Sequence, residues 1–279
     1  EQAMRDYLTL FANAPYSSDA TLPEEDATAL LANTLKLDRL QVTEDSYGTL
    51  IGPQPGNAVY LTYYRNNIIH LFALPGVIMT AVFANQKIER TAILQLMAAL
   101  YPLLQRELFL HFSQDEALAY TSTLIDAFKQ SGMLVQRGRY LTPPDANSDH
   151  FHSSWLLSRC MQETFQRYAV VLTLLKREKV ISRGELERES KTVAERLSKL
   201  YGMHSPEFYD KNVLSSFISA LRDNHWLDSG DGGSLKYSEE ASALRRDIIA
   251  LVWPEIAQHL EKDILHADAK EADNDSSAL

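Results

Sequence analysis

The chain has a single cysteine in 279 residues, Cys160, so no internal disulfide can form. That fits a reducing compartment, where a buried, inert thiol is expected. It also lacks any excess of positive charge. A formal charge of −10 argues against nucleic acid as the main ligand, because phosphate binding draws mostly on Lys and Arg. The glycine-based signatures of catalysis and cofactor binding are missing too. There is no Gly-x-Gly-x-x-Gly, no phosphate loop ending in Gly-Lys-Ser/Thr and no Gly-x-Ser-x-Gly, and Gly230-Asp231-Gly232-Gly233 reads as a turn between strands. No cofactor is expected. The most apolar run, Ile68 to Ala84, is interrupted by His70 and by Pro75-Gly76. It falls short of the about 20 apolar residues a membrane span needs, so two buried helices meeting at Pro75 are expected. The first residue is Glu1 rather than Met, which suggests a piece of a longer protein.

What is present is a series of capped amphipathic segments. Thr21-x-x-Glu24 precedes Ala27, Leu30, Leu31 and Leu35; Ser113-x-x-Glu116 precedes Leu118, Leu124, Ile125 and Phe128, with Gly132 as the stop. Ser182-x-x-Glu185 opens a third segment carrying Leu186, Val193, Leu197 and Leu200 before Gly202, and Ser205-Pro206 starts a fourth with Phe208, Val213, Leu214, Phe217 and Leu221 inward. Three of these segments are followed by paired short apolar runs across a turn: Leu40-Val42 with Thr49-Ile51, Met133-Val135 with Arg139-Leu141, and Trp226-Leu227 with Leu235-Tyr237. The fold class is therefore mainly α with short β-hairpins (α+β), a helical bundle with winged-helix-like helix–hairpin units. Leu124-Ile125-Asp126-Ala127-Phe128 and Phe217-Ile218-Ser219-Ala220-Leu221 hint at a repeated module.

The polar, proline-containing stretch from Thr142 to Asp149 suggests a boundary. It gives a helical subdomain over 1–142 with two β-hairpins, a second helical, winged-helix-like subdomain over 150–265, and an acidic tail over 266–279 expected to be disordered. The histidines suggest no metal centre: His111 with Asp115 and His259 with Asp263 are spaced for one helix face, but a catalytic metal wants three protein ligands. The run Tyr60-Leu61-Thr62-Tyr63-Tyr64-Arg65-Asn66-Asn67-Ile68-Ile69-His70 is unusual. On a helix, Tyr60, Tyr63, Tyr64, Asn67 and Leu71 share a face, with Arg65 off its edge. Tyr63, Tyr64, Arg65, Asn66 and His70 are the candidates for docking against a neighbouring domain, set against an internal role for Arg65 in which it bonds a helix end or a carboxylate. Lys176-Arg177 with Lys179 and Arg183 is the basic patch an acidic carrier protein would need, or simply solvated helix-end charge.

Thr62-Tyr63-Tyr64-Arg65-Asn66-Asn67-Ile68 with His70 resembles the C-terminal region of the bacterial membrane-bound glycerol-3-phosphate 1-O-acyltransferase family. So do Asn13 to Asp19, Leu100 to Leu104 with Glu107 to Leu110, Glu163 to Ala169, Glu189 to Ser198 and Ser205 to Lys211, in the family's order. The resemblance implies acyl transfer from acyl-CoA or acyl carrier protein to the 1-hydroxyl of glycerol 3-phosphate, the first step of phospholipid biosynthesis, at the cytoplasmic face of the inner membrane. The family's catalytic pair is a histidine, four residues, then an aspartate. No histidine here has Asp five positions on; the residues found there are Pro75, Glu116, Trp155, Leu157, Tyr209, Gly230, Ile264 and Glu271. No catalytic residue is carried over, the catalytic domain is expected N-terminal to Glu1 as this chain's partner, and the isolated chain is expected to be inactive. The alternative is a non-enzymatic protein-binding scaffold of winged-helix-like modules.

Overall fold

The computed structural model describes residues 1–203 and 205–265, so the expected tail lies outside the described residues. Two compact units are present, Glu1–Ala98 with His111–Cys160, and Ala99–Leu110 with Met161 onward.

In order along the chain come α1 (Gln2–Asn13), α2 (Ala27–Thr34), the hairpin β1 (Leu40–Asp45) and β2 (Gly48–Pro53), α3 (Ala58–Asn85), β3 (Ile88–Glu89), α4 (Arg90–Leu108), α5 (Gln114–Gln130), β4 (Val135–Arg137), β5 (Tyr140–Thr142) and α6 (Phe151–Cys160). Helix α5 begins where the residues dictate. Ser113 and Glu116 form a reciprocal capping box at the start of α5, and Gly132 just past its end sits at φ +76°, a conformation glycine adopts without a Cβ penalty. The start of α2 departs from expectation. Its cap is Asp26, which accepts from the Ala29 amide at 2.8 Å, and residues 21–25 are not helical. A carboxylate directly before the first turn satisfies an orphan amide that the more distant Thr21 leaves unmet.

The expected break at Pro75 is also corrected: α3 is one continuous helix of 28 residues with Pro75 inside it. Proline removes one backbone bond, to the Leu71 carbonyl, at a cost of about 3 kcal/mol. Burial outweighs it, because Ala73, Leu74, Val77, Ile78, Met79, Ala81 and Val82 are all shielded from solvent. Thr80 adds a polar tie, its hydroxyl lying 2.7 Å from Gly76 O and 2.9 Å from Ser158 O in α6. Among the described residues Val59–Asn85 is the one helix long and apolar enough to cross a membrane, although its second half is buried within the first unit.

Arg90, at the start of α4, grips Asp126 of α5 through two bonds of 2.7 and 2.8 Å. Those bonds hold the Asp126 carboxyl below its ordinary value near 3.8. The paired carboxylate therefore adds stability above that ordinary value, and the contribution is lost as pH falls through the lower folded-state value. Because both groups are partly exposed, Asp126→Asn is expected to cost only about 0.5–1 kcal/mol at pH 7. Urea melts should show this gap closing as pH falls below the ordinary carboxylate range; a gap unchanged by pH would refute the pairing.

The second unit contains residues 99–110 together with α7 (Gln162–Glu178), β6 (Val180–Ile181), α8 (Arg183–Tyr201), a 3-10 turn at Pro206–Tyr209, α9 (Lys211–Asp223), β7 (Leu227–Ser229), β8 (Leu235–Tyr237), α10 (Glu239–Ile249) and α11 (Pro254–His259). Helix α7 is buried from Phe165 to Leu175 on every side, as the central helix of a bundle must be. Ser182 and Glu185 cap α8 reciprocally, and Gly202 ends it. Two expectations shift here: Leu200 is exposed, and Ser205-Pro206 opens only the 3-10 turn. The helix proper starts at Lys211, because the Asp210 carboxylate accepts from the amides of Asn212 and Val213.

The two three-stranded sheets have the same topology. In each, a two-residue strand is followed by two helices and a hairpin, and the strand order is β3-β5-β4 in one and β6-β8-β7 in the other. The first strand pairs antiparallel with the last, Ile88 opposite Leu141 and Ile181 opposite Leu235. This is the arrangement of a winged-helix unit, twice. Leu124-Ile125 with Ala127-Phe128 and Phe217-Ile218 with Ala220-Leu221 occupy the same place in the two repeats and are buried alike.

Candidate functional site

The first unit exposes aromatic and aliphatic side chains on two of its elements. On the β1–β2 hairpin, Val42, Tyr47, Leu50 and Ile51 face solvent, with Tyr47 98% exposed. On the first half of α3, Val59, Tyr60, Tyr63, Tyr64 and Ile68 do the same, Tyr63 at 64%. Neighbouring apolar side chains left in water are the usual mark of an interaction surface. Arg39, just before the hairpin, lies 4.5 Å from the Tyr60 ring and donates to Asn57 Oδ1 at 3.3 Å. It supports one tyrosine of the face with a cation–π contact.

The five candidates from the sequence separate into three groups. Tyr63 and Tyr64 stand exposed, their rings edge to face at 6.0 Å. Arg65 and Asn66 are half-buried and bonded to each other, with Asn66 Oδ1 accepting from Arg65 Nε at 3.3 Å and Nη2 at 3.2 Å. His70 is half-buried with its ring 5.4 Å from Tyr16, which also meets His111, Phe112 and Tyr120. Tyr16 and His70 belong to two of the sequence runs that carry the family resemblance.

Two polar clusters escaped the sequence reading. Asp6, almost fully buried, lies 3.0 Å from His150 Nδ1, accepts from Ser153 Oγ at 2.5 Å and accepts from Gln2 Nε2 at 2.8 Å. The residue types suggest a catalytic triad, but the geometry does not, because the serine donates to the carboxylate and not to the imidazole. His150 packs over Gly132, where a Cβ would stand 3.1 Å from its ring. In the second unit Glu107 accepts from Arg167 Nη2 and, at 2.7 Å, from the Tyr168 hydroxyl, while Arg167 also reaches Glu207 O at 3.4 Å. Burial first, then the neighbouring Glu107 charge, pushes the Tyr168 hydroxyl far above the ordinary tyrosine range. Glu107, Arg167, Tyr168 and Glu207 come from three of the resemblance-bearing runs.

The basic patch makes local bonds. Arg177 pairs with Glu178 at 2.6 Å, and Arg183 with Glu187 at 2.9 Å and with the hydroxyls of Ser215 and Ser219. His259 sits 3.2 Å from Asp263. Among the described residues no three His, Cys, Asp or Glu side chains gather as a metal site would require. Cys160 is half-buried, and the desolvation of its thiol pushes it up to about 12, so it stays protonated.

Two winged-helix-like units in a mainly helical frame, with exposed tyrosines on the first half of α3, define the class of this region. The chain belongs to the family of the glycerol-3-phosphate acyltransferase C-terminal region, which it matches over residues 1–230. It is 64% identical over 266 residues to a glycerol-3-phosphate acyltransferase of Alteromonas mediterranea, covering 95% of this chain and 32% of that protein. It is 50% identical over 262 residues to a glycerol-3-phosphate acyltransferase of Pseudoalteromonas atlantica, covering 94% of this chain and 32% of that one. The chain thus spans about a third of the length of the curated relatives it matches.

Proposed function

We propose that this chain is the non-catalytic C-terminal part of an enzyme that transfers an acyl group from acyl-CoA or acyl carrier protein to the 1-hydroxyl of glycerol 3-phosphate. Its partner is the acyltransferase domain of the same polypeptide, lying N-terminal to it, and its place of work is the cytoplasmic face of the bacterial inner membrane. The observation that carries this reading is the 95% coverage of the chain by a relative of that name, of which it spans only 32%. The docking contact is the α3 face of Tyr60, Tyr63 and Tyr64, which offers ring area at low entropic cost and hydroxyls for the rim. His70, packed edge to face against Tyr16, steadies that segment of α3 from the side turned away from the tyrosines.

The test is complementation by fragments. The chain and the remainder of its parent polypeptide are expressed separately, and acyl transfer to glycerol 3-phosphate is assayed apart and together. The expected result is no activity from the chain, little from the remainder, and recovery on mixing. Changing Tyr63→Asp and Tyr64→Asp together should cut the recovered activity at least tenfold, the loss of one or two interface hot spots. Activity in the chain alone, or full activity in the remainder alone, would overturn the proposal.

A further inference from the structure

On the flank of α3, away from the exposed tyrosines, lies a cavity of about 240 Å³ between α1, α3 and α6. Its wall is Ile68, Ile69 and Phe72 from α3 and Leu156, Leu157 and Cys160 from α6. Tyr7 of α1 closes one side, its ring edge-on to Phe72 at 5.7 Å. The polar atoms of this wall are turned to internal partners. The Tyr7 hydroxyl donates to Ser153 O at 2.8 Å, and the Cys160 thiol, kept neutral by burial, donates to Phe72 O at 3.6 Å. Arg65 is the cation among the lining residues, its plane fixed by the paired bonds to Asn66. Its charge reaches into the wall, since it opposes part of the rise that burial imposes on Cys160.

A cavity walled by aliphatic and aromatic carbon gives water too few partners, and such sites take apolar occupants. A guanidinium at its edge adds a preference for an anion, since its fixed positive charge draws a carboxylate or phosphate head group. We infer that this cavity binds the hydrocarbon tail of a single-chain anionic amphiphile, a fatty carboxylate or an alkyl phosphate, with the head group at Arg65 and the chain along Phe72, Leu156 and Leu157. The inference goes beyond the docking role and does not depend on it: the docking face is Tyr60, Tyr63 and Tyr64, whereas the amphiphile site uses the flank carrying Ile69 and Phe72. Neither reaction chemistry nor a covalent step is involved.

The experiment is photo-crosslinking of the complete parent polypeptide in its membranes with a diazirine-bearing dodecanoate, followed by mapping of the labelled peptides. Adducts are expected in 68–72 and 156–160. They should be competed by unlabelled dodecanoate or dodecyl phosphate at concentrations at least tenfold below those needed of dodecanol, the weight of one charge-assisted contact. Shortening the competitor should weaken it about threefold to fourfold per methylene removed. Arg65→Gln should erase the preference for the anion while labelling by a diazirine alcohol persists, and Arg65→Lys should restore part of it. Leu156→Glu should depress labelling by both probes. The inference is overturned if these helices are not labelled, if the labelling is not competed, or if Arg65→Gln leaves the anion preference intact. A segment of protein filling the cavity would show as the first of these outcomes, and fragment complementation would be unaffected by it.

Discussion

Replacing Glu107 with alanine is expected to destabilise the second unit by about 3–5 kcal/mol, the usual consequence of stranding one half of a buried ion pair. The remaining partners of Arg167, Glu207 O and Thr164 Oγ1, are neutral and cannot replace the carboxylate. The Arg167 side chain is 5% exposed and the Glu107 side chain 15% exposed, so the guanidinium would lose its carboxylate without gaining water. Tyr168, fully buried and stacked on Phe217 with ring centroids 4.0 Å apart, would lose the acceptor for its hydroxyl in the same change. Glu107→Gln should be milder, because an amide oxygen still serves Tyr168. Glu107→Leu combined with Arg167→Met should recover the part of the loss due to the stranded charge, while the Tyr168 hydroxyl still lacks its acceptor. Urea unfolding followed by tryptophan fluorescence would measure all three, and a single-variant loss under about 1 kcal/mol would show that the pair is not the buried anchor described here.

Asp6→Ala is expected to produce the second large loss, this time in the first unit. Three donors converge on this carboxylate, from Gln2, His150 and Ser153, and the Ser153 residue is only 1% exposed. A buried donor deprived of its acceptor costs about 1–3 kcal/mol, so the change should cost roughly 2–4 kcal/mol. Hydrogen exchange would locate the effect at α1 and the first turn of α6, which the cluster joins. Ser153→Ala in the Asp6→Ala background should add little, since the serine has already lost its partner. A full additive penalty would contradict the shared network.

What could be read from the sequence was what neighbours decide. The caps at Ser113 and Ser182 need only the next three residues, and they appear where the pattern places them. The hairpins likewise follow from short apolar runs around a turn. What distant partners decide was not legible. Helix α3 runs through Pro75 because the packing around Leu74 and Val77 outweighs one lost bond; the apolar run announced the burial, but not that it would keep the helix whole. The Asp6–His150 and Glu107–Arg167 pairs span 144 and 60 residues, beyond any local pattern. Arg65 was visible as a charge beside aromatics, but the cavity at its side exists only once Leu156 and Leu157 are brought to α3.

The two units are not consecutive lengths of chain. Residues 99–110 belong with the unit that resumes at Met161, while 111–160 return to the first. A polypeptide ending at Cys160 would therefore carry Leu100, Tyr101, Leu103 and Leu104, all buried in the whole, with the rest of their unit missing. No single cut separates the halves cleanly, so neither can be inherited, lost or transplanted as a simple cassette. Nascent chain emerging from the ribosome must hold that apolar stretch in waiting for some fifty residues until its companions from Met161 onward are made. The polypeptide is thus committed to completing both units once it has begun the first.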